Sequence, residues 1–247
     1  MMPLRIAIVG AAGRMGEAVS RAAEGQNDLV VSARIDAEDQ LEDSIAECDV
    51  VIDFSHPDAT EQTCATCMEN RKPIVIGTTG HSAEQVRVIR LASTSLPVIL
   101  ASNFSIGVNA LFWLTRKAND LLGPDFDVEI VETHHRLKKD APSGTAKRLA
   151  EILCEARGLN YQEHVAHGRE GLVGERPAQQ IGMHAVRAGD VVGDHTVIFA
   201  TPGERLELTH KASSRETFAT GALRAARWIV GKPARLYSME DVLGLSG

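Results

Sequence analysis

The sequence predicts an α/β protein, a doubly wound parallel sheet joined to a second α+β domain with a mostly antiparallel sheet. Three observations lead there. Short apolar runs alternate with amphipathic stretches through the first hundred residues, the pattern of βαβ units. A glycine-rich turn, Gly10-Ala-Ala-Gly13-Arg-Met-Gly16, follows the first apolar run, where a strand must turn sharply into a helix. After Phe104 the alternation gives way to long helices and then three β-like runs separated by Gly-Asp and Pro-Gly turns.

Leu4 to Val9 is a continuous apolar run, as a buried parallel strand requires, and a helix from Met15 to Ala23 follows its glycines. Further strands are expected at Leu29 to Ala33, Val50 to Asp53, Ile74 to Ile76 and Val98 to Leu100, with helical segments starting at Pro57 and Ser82. Ligands of such sheets sit beyond the carboxyl ends of the strands, so Gly10, Phe54, Gly77 and Ala101 should share one rim. A helix from Ile106 to Leu122 leads to a strand at Val128 to Thr133, a cationic loop and an amphipathic helix carrying Ala146, Leu149, Ala150 and Leu153 that stops at Gly158. Beyond a glycine-rich stretch from His167 to Gly174, strands are expected at Gly182 to Arg187, Thr196 to Ala200 and Leu206 to His210. A last helix, Phe218 to Val230, can return to the first domain, giving expected domains of 1–104 completed by 215–247, and 105–214.

Composition narrows the function. A net charge of −7 and 4% aromatic residues leave neither a broad phosphate footprint nor stacking platforms, so nucleic acid is not the expected partner. No apolar run approaches the roughly 20 residues that span a bilayer, and no room precedes the first strand for a signal segment. A cytoplasmic protein with no membrane partner is expected. Cys48, Cys64, Cys67 and Cys154 show no disulfide framework. Cys64 and Cys67 form a CxxC inside a helical segment and read as two small apolar residues one turn apart, while His164 and His167 read as polar loop residues. No metal set is expected, since His134 and His135 are adjacent on a strand and point to opposite faces.

Two stretches carry chemistry. The glycine turn sits where a dinucleotide fingerprint belongs, spaced GxxGxxG, with Ala12 at the usual middle glycine and Gly13 supplying the freedom. Asp36 ends the second strand, 20 residues after Gly16, and either accepts the ribose hydroxyls of NAD or serves as a turn residue. With this pairing the first domain is Rossmann-type. Gly77-Thr78-Thr79-Gly80 and Ala101-Ser102-Asn103-Phe104-Ser105 offer further amides and hydroxyls on the rim. The second stretch runs Glu-Thr-His-His-Arg-Leu-Lys-Lys-Asp-Ala-Pro-Ser-Gly-Thr-Ala from Glu132. It places His134, His135, Arg136, Lys138 and Lys139 ahead of a Pro-Ser-Gly turn into a helix. Cations facing the unpaired amides of a helix start make an anion site, and histidine or a crowded lysine can also supply a proton. A solvated basic face is the competing reading, but such a face has no use for a rigid turn placed directly before an amphipathic helix.

Together with Asp53-Phe-Ser-His-Pro57, Val186 to Val197 and Glu204 to Ala222, these motifs resemble the 4-hydroxy-tetrahydrodipicolinate reductase family, also called dihydrodipicolinate reductases, in order along almost the whole chain. The resemblance implies a first domain that binds NADH or NADPH through Gly10, Ala11, Ala12, Gly13, Arg14, Met15, Asp36, Gly77, Thr78, Thr79, Ala101, Ser102, Asn103 and Phe104. It implies a second domain that binds a small cyclic dicarboxylate and builds a homotetramer. By the same resemblance, Lys138 and His134 are the catalytic pair, Lys138 the proton donor, and His135, Gly144 and Thr145 hold the substrate carboxylates. Hydride would pass from nicotinamide C4 to substrate C4 as water is lost, with closure about hinges near Phe104 and Ser214. Two departures stand out. Only a dozen residues separate Asp36 from Asp49 where the family commonly carries a longer insert, and Ala37 stands where some relatives place an arginine for the 2′-phosphate. An NAD-sensing module would keep the glycine loop without needing the acid cluster. A dehydrogenase of another amino-acid pathway would show a nucleophilic cysteine or a different lysine and acid pair.

Overall fold

The computed structural model describes residues 2–214 and 216–245. In chain order the first elements are β1 (Leu4–Val9), α1 (Arg14–Glu24), β2 (Leu29–Ile35), β3 (Val50–Asp53), α2 (Thr60–Glu69), β4 (Ile74–Ile76), α3 (Ala83–Ala92) and β5 (Pro97–Leu100). Then come α4 (Ile106–Leu122), β6 (Asp127–His134), α5 (Gly144–Arg157), α6 (Tyr161–His164) and β7 (Val165–His167). The chain closes with β8 (Ile181–Arg187), β9 (Gly193–Thr201), β10 (Glu204–Ala212), α7 (Glu216–Ile229), β11 (Arg235–Tyr237) and α8 (Met239–Leu243). Contacts divide it into two compact units, one running to Ile106 and resuming after Ser214, the other Gly107–Ser214.

The first unit holds a six-stranded sheet in the order β11-β5-β4-β3-β1-β2, parallel throughout. Successive side chains on a strand face opposite ways, and both faces here are apolar. Ile6, Ile8, Ile52 and Ile99 pack on one side with Val19 of α1 and the small face of α7. Ala7, Val9, Val51 and Ile76 pack on the other with Cys64 and Cys67 of α2 and Ile89 of α3. Fully burying side chains of this size contributes about 1.5–3 kcal/mol each. Gly221 lets α7 come close, because a Cβ there would stand 1.8 Å from the Phe104 carbonyl oxygen. The short link after Asp36 is filled by 3₁₀ turns at Leu41–Asp43 and Ile45–Glu47, whose Leu41 and Ile45 enter the second core.

In the second unit the strand order is β10-β9-β6-β8-β7. Pairing is antiparallel at β10–β9 and β9–β6 but parallel at β6–β8 and β8–β7. The sheet is therefore mixed where mainly antiparallel pairing was expected. The cause is α5, which crosses over between β6 and β8 and so returns the chain in the same direction. One face, with Val128, Ile130, Met183 and Phe199, packs on α4 and α5. Ser143 caps α5 by accepting a hydrogen bond from Ala146 N–H, and Gly158 ends it in the left-handed conformation. His164 and His167 are not loop residues: they end α6 and β7.

Candidate active site

In the first unit the glycine turn shows why its spacing is possible. Gly10 adopts φ +79°, and a Cβ there would come within 2.6 Å of the Phe54 carbonyl oxygen. At Gly16 a Cβ would meet the Gly10 oxygen at 2.1 Å, so only glycine lets α1 pack this closely on the turn. Gly13 is the N-cap of α1 and provides no side-chain cap, which leaves helix-terminal amides for an anionic group. A cleft of about 890 Å³ lined by Arg14, Met15, Phe54, Gly77, Thr78 and Thr79 adjoins this helix start. A second cavity, about 330 Å³, is lined by Ala11, Ala12, Arg21, Arg34 and Asp36.

Asp36 does more than end a strand. Both its oxygens accept from Ala12 N–H, at 3.0 and 3.1 Å, while its own N–H donates to Asp39 at 2.9 Å. It is both a turn residue and the brace of the glycine loop, with lone pairs remaining for ribose hydroxyls. Phe104 and Thr78 are turned inward. Phe104 is buried edge-on against Phe54, ring centroids 5.6 Å apart, and Thr78 Oγ1 donates to Asp53 Oδ1 at 3.0 Å. Only their backbones can serve a ligand, whereas Thr79 and Ser102 are exposed. Asp53, fully buried, also accepts from Ser55 N–H at 2.8 Å and Ser55 Oγ at 2.6 Å, tying the loops after β3 and β4 together. Burial pushes its carboxyl up from the ordinary range. Helix start, glycine cradle and acid thus fit a dinucleotide.

In the second unit the cationic loop is built on a buried carboxylate that the sequence reading passed over. Glu132 and His134 lie two apart on β6 and share a face. Glu132 Oε2 sits 2.6 Å from His134 Nδ1. Arg187 on β8 donates to both Glu132 oxygens at 2.9 Å and also to the Asp140 carbonyl at 2.7 Å. Ser143 N–H donates to Glu132 Oε1 at 3.0 Å. Burial alone would raise this carboxyl, but the hydrogen bonds from Arg187, His134 and Ser143 outweigh it and hold it below the ordinary glutamate range. His195 on β9 meets the His134 ring edge-on at 5.2 Å and hydrogen-bonds Ser143 Oγ through Nε2 at 2.9 Å. Burial, reinforced by the charge on His134, lowers His195 to about 3.

Lys138 Nζ donates to both oxygens of Asp140, at 2.9 and 2.8 Å. The loop is pinned by Arg136 N–H to the Gly189 carbonyl and by Ala188 N–H to the His134 carbonyl. His135 Nδ1 is buried with no hydrogen-bond partner among the described residues. Gly144 opens α5 with clear space around its Cα. The arrangement holds a proton-carrying imidazole and an ammonium next to a helix start, as an anionic substrate needing a proton would require. Cys64 and Cys67 take no part, since both are fully buried in α2 and burial pushes their thiols up, Cys64 to about 12.

Family models match both parts of the chain. The family model described as the N-terminus of dihydrodipicolinate reductase matches residues 4–104, and that of its C-terminus matches 107–243. A 4-hydroxy-tetrahydrodipicolinate reductase of Akkermansia muciniphila is 57% identical, covering 98% of this chain and 99% of that protein. The protein of the same description from Hahella chejuensis is 47% identical over 98% of this chain and 99% of its own. A dipicolinate-bound dihydrodipicolinate reductase from Paenisporosarcina superposes with a TM-score of 0.79 at 26% identity, covering 96% of this chain and 98% of that one.

Proposed function

The chain belongs to the dihydrodipicolinate reductase family, and from that premise we propose that it reduces 4-hydroxy-tetrahydrodipicolinate to tetrahydrodipicolinate with NADH or NADPH, releasing water, in lysine and diaminopimelate biosynthesis. The observation that carries this is 57% identity over 98% of the chain to a reductase of that description. Bound at the glycine turn of α1 and the rim loops, the reduced nicotinamide supplies the hydride. The residues of the second unit do the rest. His135 and the helix start at Gly144 and Thr145 hold the two carboxylates of the ring. Lys138 donates the proton to the enamine-like anion, and His134, held by its contact with Glu132, assists by hydrogen bonding to it.

The working form we propose is a cytoplasmic homotetramer. Four free, buried cysteines suit a reducing compartment, and among the described residues no helix is long and apolar enough to cross a membrane. The β6–β9 face opposite the helices leaves Val131 and Ile198 half-buried in the isolated chain, a surface suited to a second copy. The test is a coupled assay in which substrate made freshly from pyruvate and aspartate semialdehyde is mixed with the protein and each reduced cofactor. Loss of nicotinamide absorbance that depends on both precursors supports the proposal. Cofactor binding without turnover would make the protein a nucleotide sensor instead.

A further inference from the structure

We infer that Glu132 is a positioning residue for this reaction: its carboxylate decides which nitrogen of His134 carries hydrogen and which is left for the reacting ring. The inference rests on the reductase reading above. An ionised carboxylate only accepts hydrogen bonds, so the 2.6 Å contact obliges His134 Nδ1 to carry hydrogen. In the neutral ring the lone pair is then on Nε2, and in the charged ring Nε2–H is the outward donor. Nε2 lies beside Gly193, where a Cβ would stand 3.0 Å from it, so glycine leaves room at that nitrogen.

The groups around His134 are Glu132 on its own strand, Arg187 on β8, His195 on β9, His210 paired beside His195 on β10, and Lys138 in the loop. Glu132 is the anion that touches the ring, while Asp140 is taken up by Lys138. Arg187 and the Ser143 N–H hold the same Glu132 carboxylate in place.

The test is ¹⁵N NMR of the histidine rings in the full-length protein and its Glu132→Gln variant, together with kcat and KM. In the unmodified protein the neutral His134 ring should be the Nδ1–H form. In Glu132→Gln the side-chain amide can donate to Nδ1, so the ring should switch to the Nε2–H form. The kcat should drop roughly 10²-fold, with KM for the reduced nicotinamide unchanged. An unaltered tautomer in Glu132→Gln would overturn the inference, whatever the loss of rate. If that variant does not fold, the unmodified protein decides, a neutral ring in the Nδ1–H form supporting the inference and one in the Nε2–H form overturning it. Failure of the unmodified protein to turn over 4-hydroxy-tetrahydrodipicolinate would remove the reductase reading and leave the ring measurement standing.

Discussion

Lys138 and His134 should lose rate when truncated without losing the nucleotide, because the glycine turn and Asp36, which we propose hold the dinucleotide, lie in the other unit. Lys138→Ala and His134→Ala are expected to lower kcat by roughly 10² to 10⁴, the usual loss of a general acid, with cofactor affinity by fluorescence titration unchanged. Near-normal turnover in Lys138→Ala would remove that lysine as the proton donor. His135→Ala should act mainly on KM, since a carboxylate contact present before and during reaction is uniform binding. These residues were legible because they sit together in one short cationic run before a helix start. Their supports were not. Arg187 reaches Glu132 across 55 positions and Ser143 reaches His195 across 52, partnerships that exist only once β6, β8 and β9 are in register. Asp53 was hidden for a similar reason: a buried carboxylate ending a strand looks like any turn acid until Thr78 of the next loop is seen to donate to it.

We propose that the glycine turn of α1 and the end of β2 set cofactor choice. Asp36 can accept ribose hydroxyls and repels a 2′-phosphate, and Ala37 has no charge to offset it. NADH should therefore serve at least as well as NADPH by kcat/KM, and Ala37→Arg should shift the preference toward NADPH by adding a bidentate phosphate partner. Arg34 lines the same cavity as Asp36, but its side chain is drawn toward Glu24 at 3.6 Å. A tenfold preference for NADPH, about 1.4 kcal/mol, would mean that Arg34 and Arg21 outweigh Asp36. Gly16→Ala should lower the melting temperature by several degrees, because its methyl would overlap the Gly10 carbonyl, and overpacking of this kind costs about 1–3 kcal/mol. The apolar runs made β1, β3 and β4 readable to the residue. The strands β7 (Val165–His167) and β11 (Arg235–Tyr237) and the five-residue α8 went unseen, since none of them is a continuous apolar run. The parallel β6–β8 pair was misjudged because pairing order depends on where α5 returns the chain, which no local pattern records.

Acid should weaken the folded chain through two groups of the second unit. His195 is lowered from 6.5 to about 3 by burial, so the unfolded chain takes up a proton that the folded chain refuses. Stability from this group falls as pH drops from 6.5 toward 3. Glu129, whose burial is outweighed by hydrogen bonds from Arg169, His184 and Arg176, is lowered from 4.5 to about 2. Its contribution, present above 4.5, is lost as pH falls toward 2. The urea midpoint should decline from pH 7 to pH 5, and His195→Gln should flatten that decline; an equal slope in the variant would show that His195 is not its source. Light scattering should give four times 26.6 kDa if the open sheet face joins copies. The chemistry itself is decided most directly by isotope transfer. With nicotinamide deuterated at the transferring face of C4 and freshly made 4-hydroxy-tetrahydrodipicolinate, NMR of the product should find one deuterium at ring C4 for each cofactor oxidised. A product without deuterium, or cofactor left reduced beside intact substrate, would contradict the assignment.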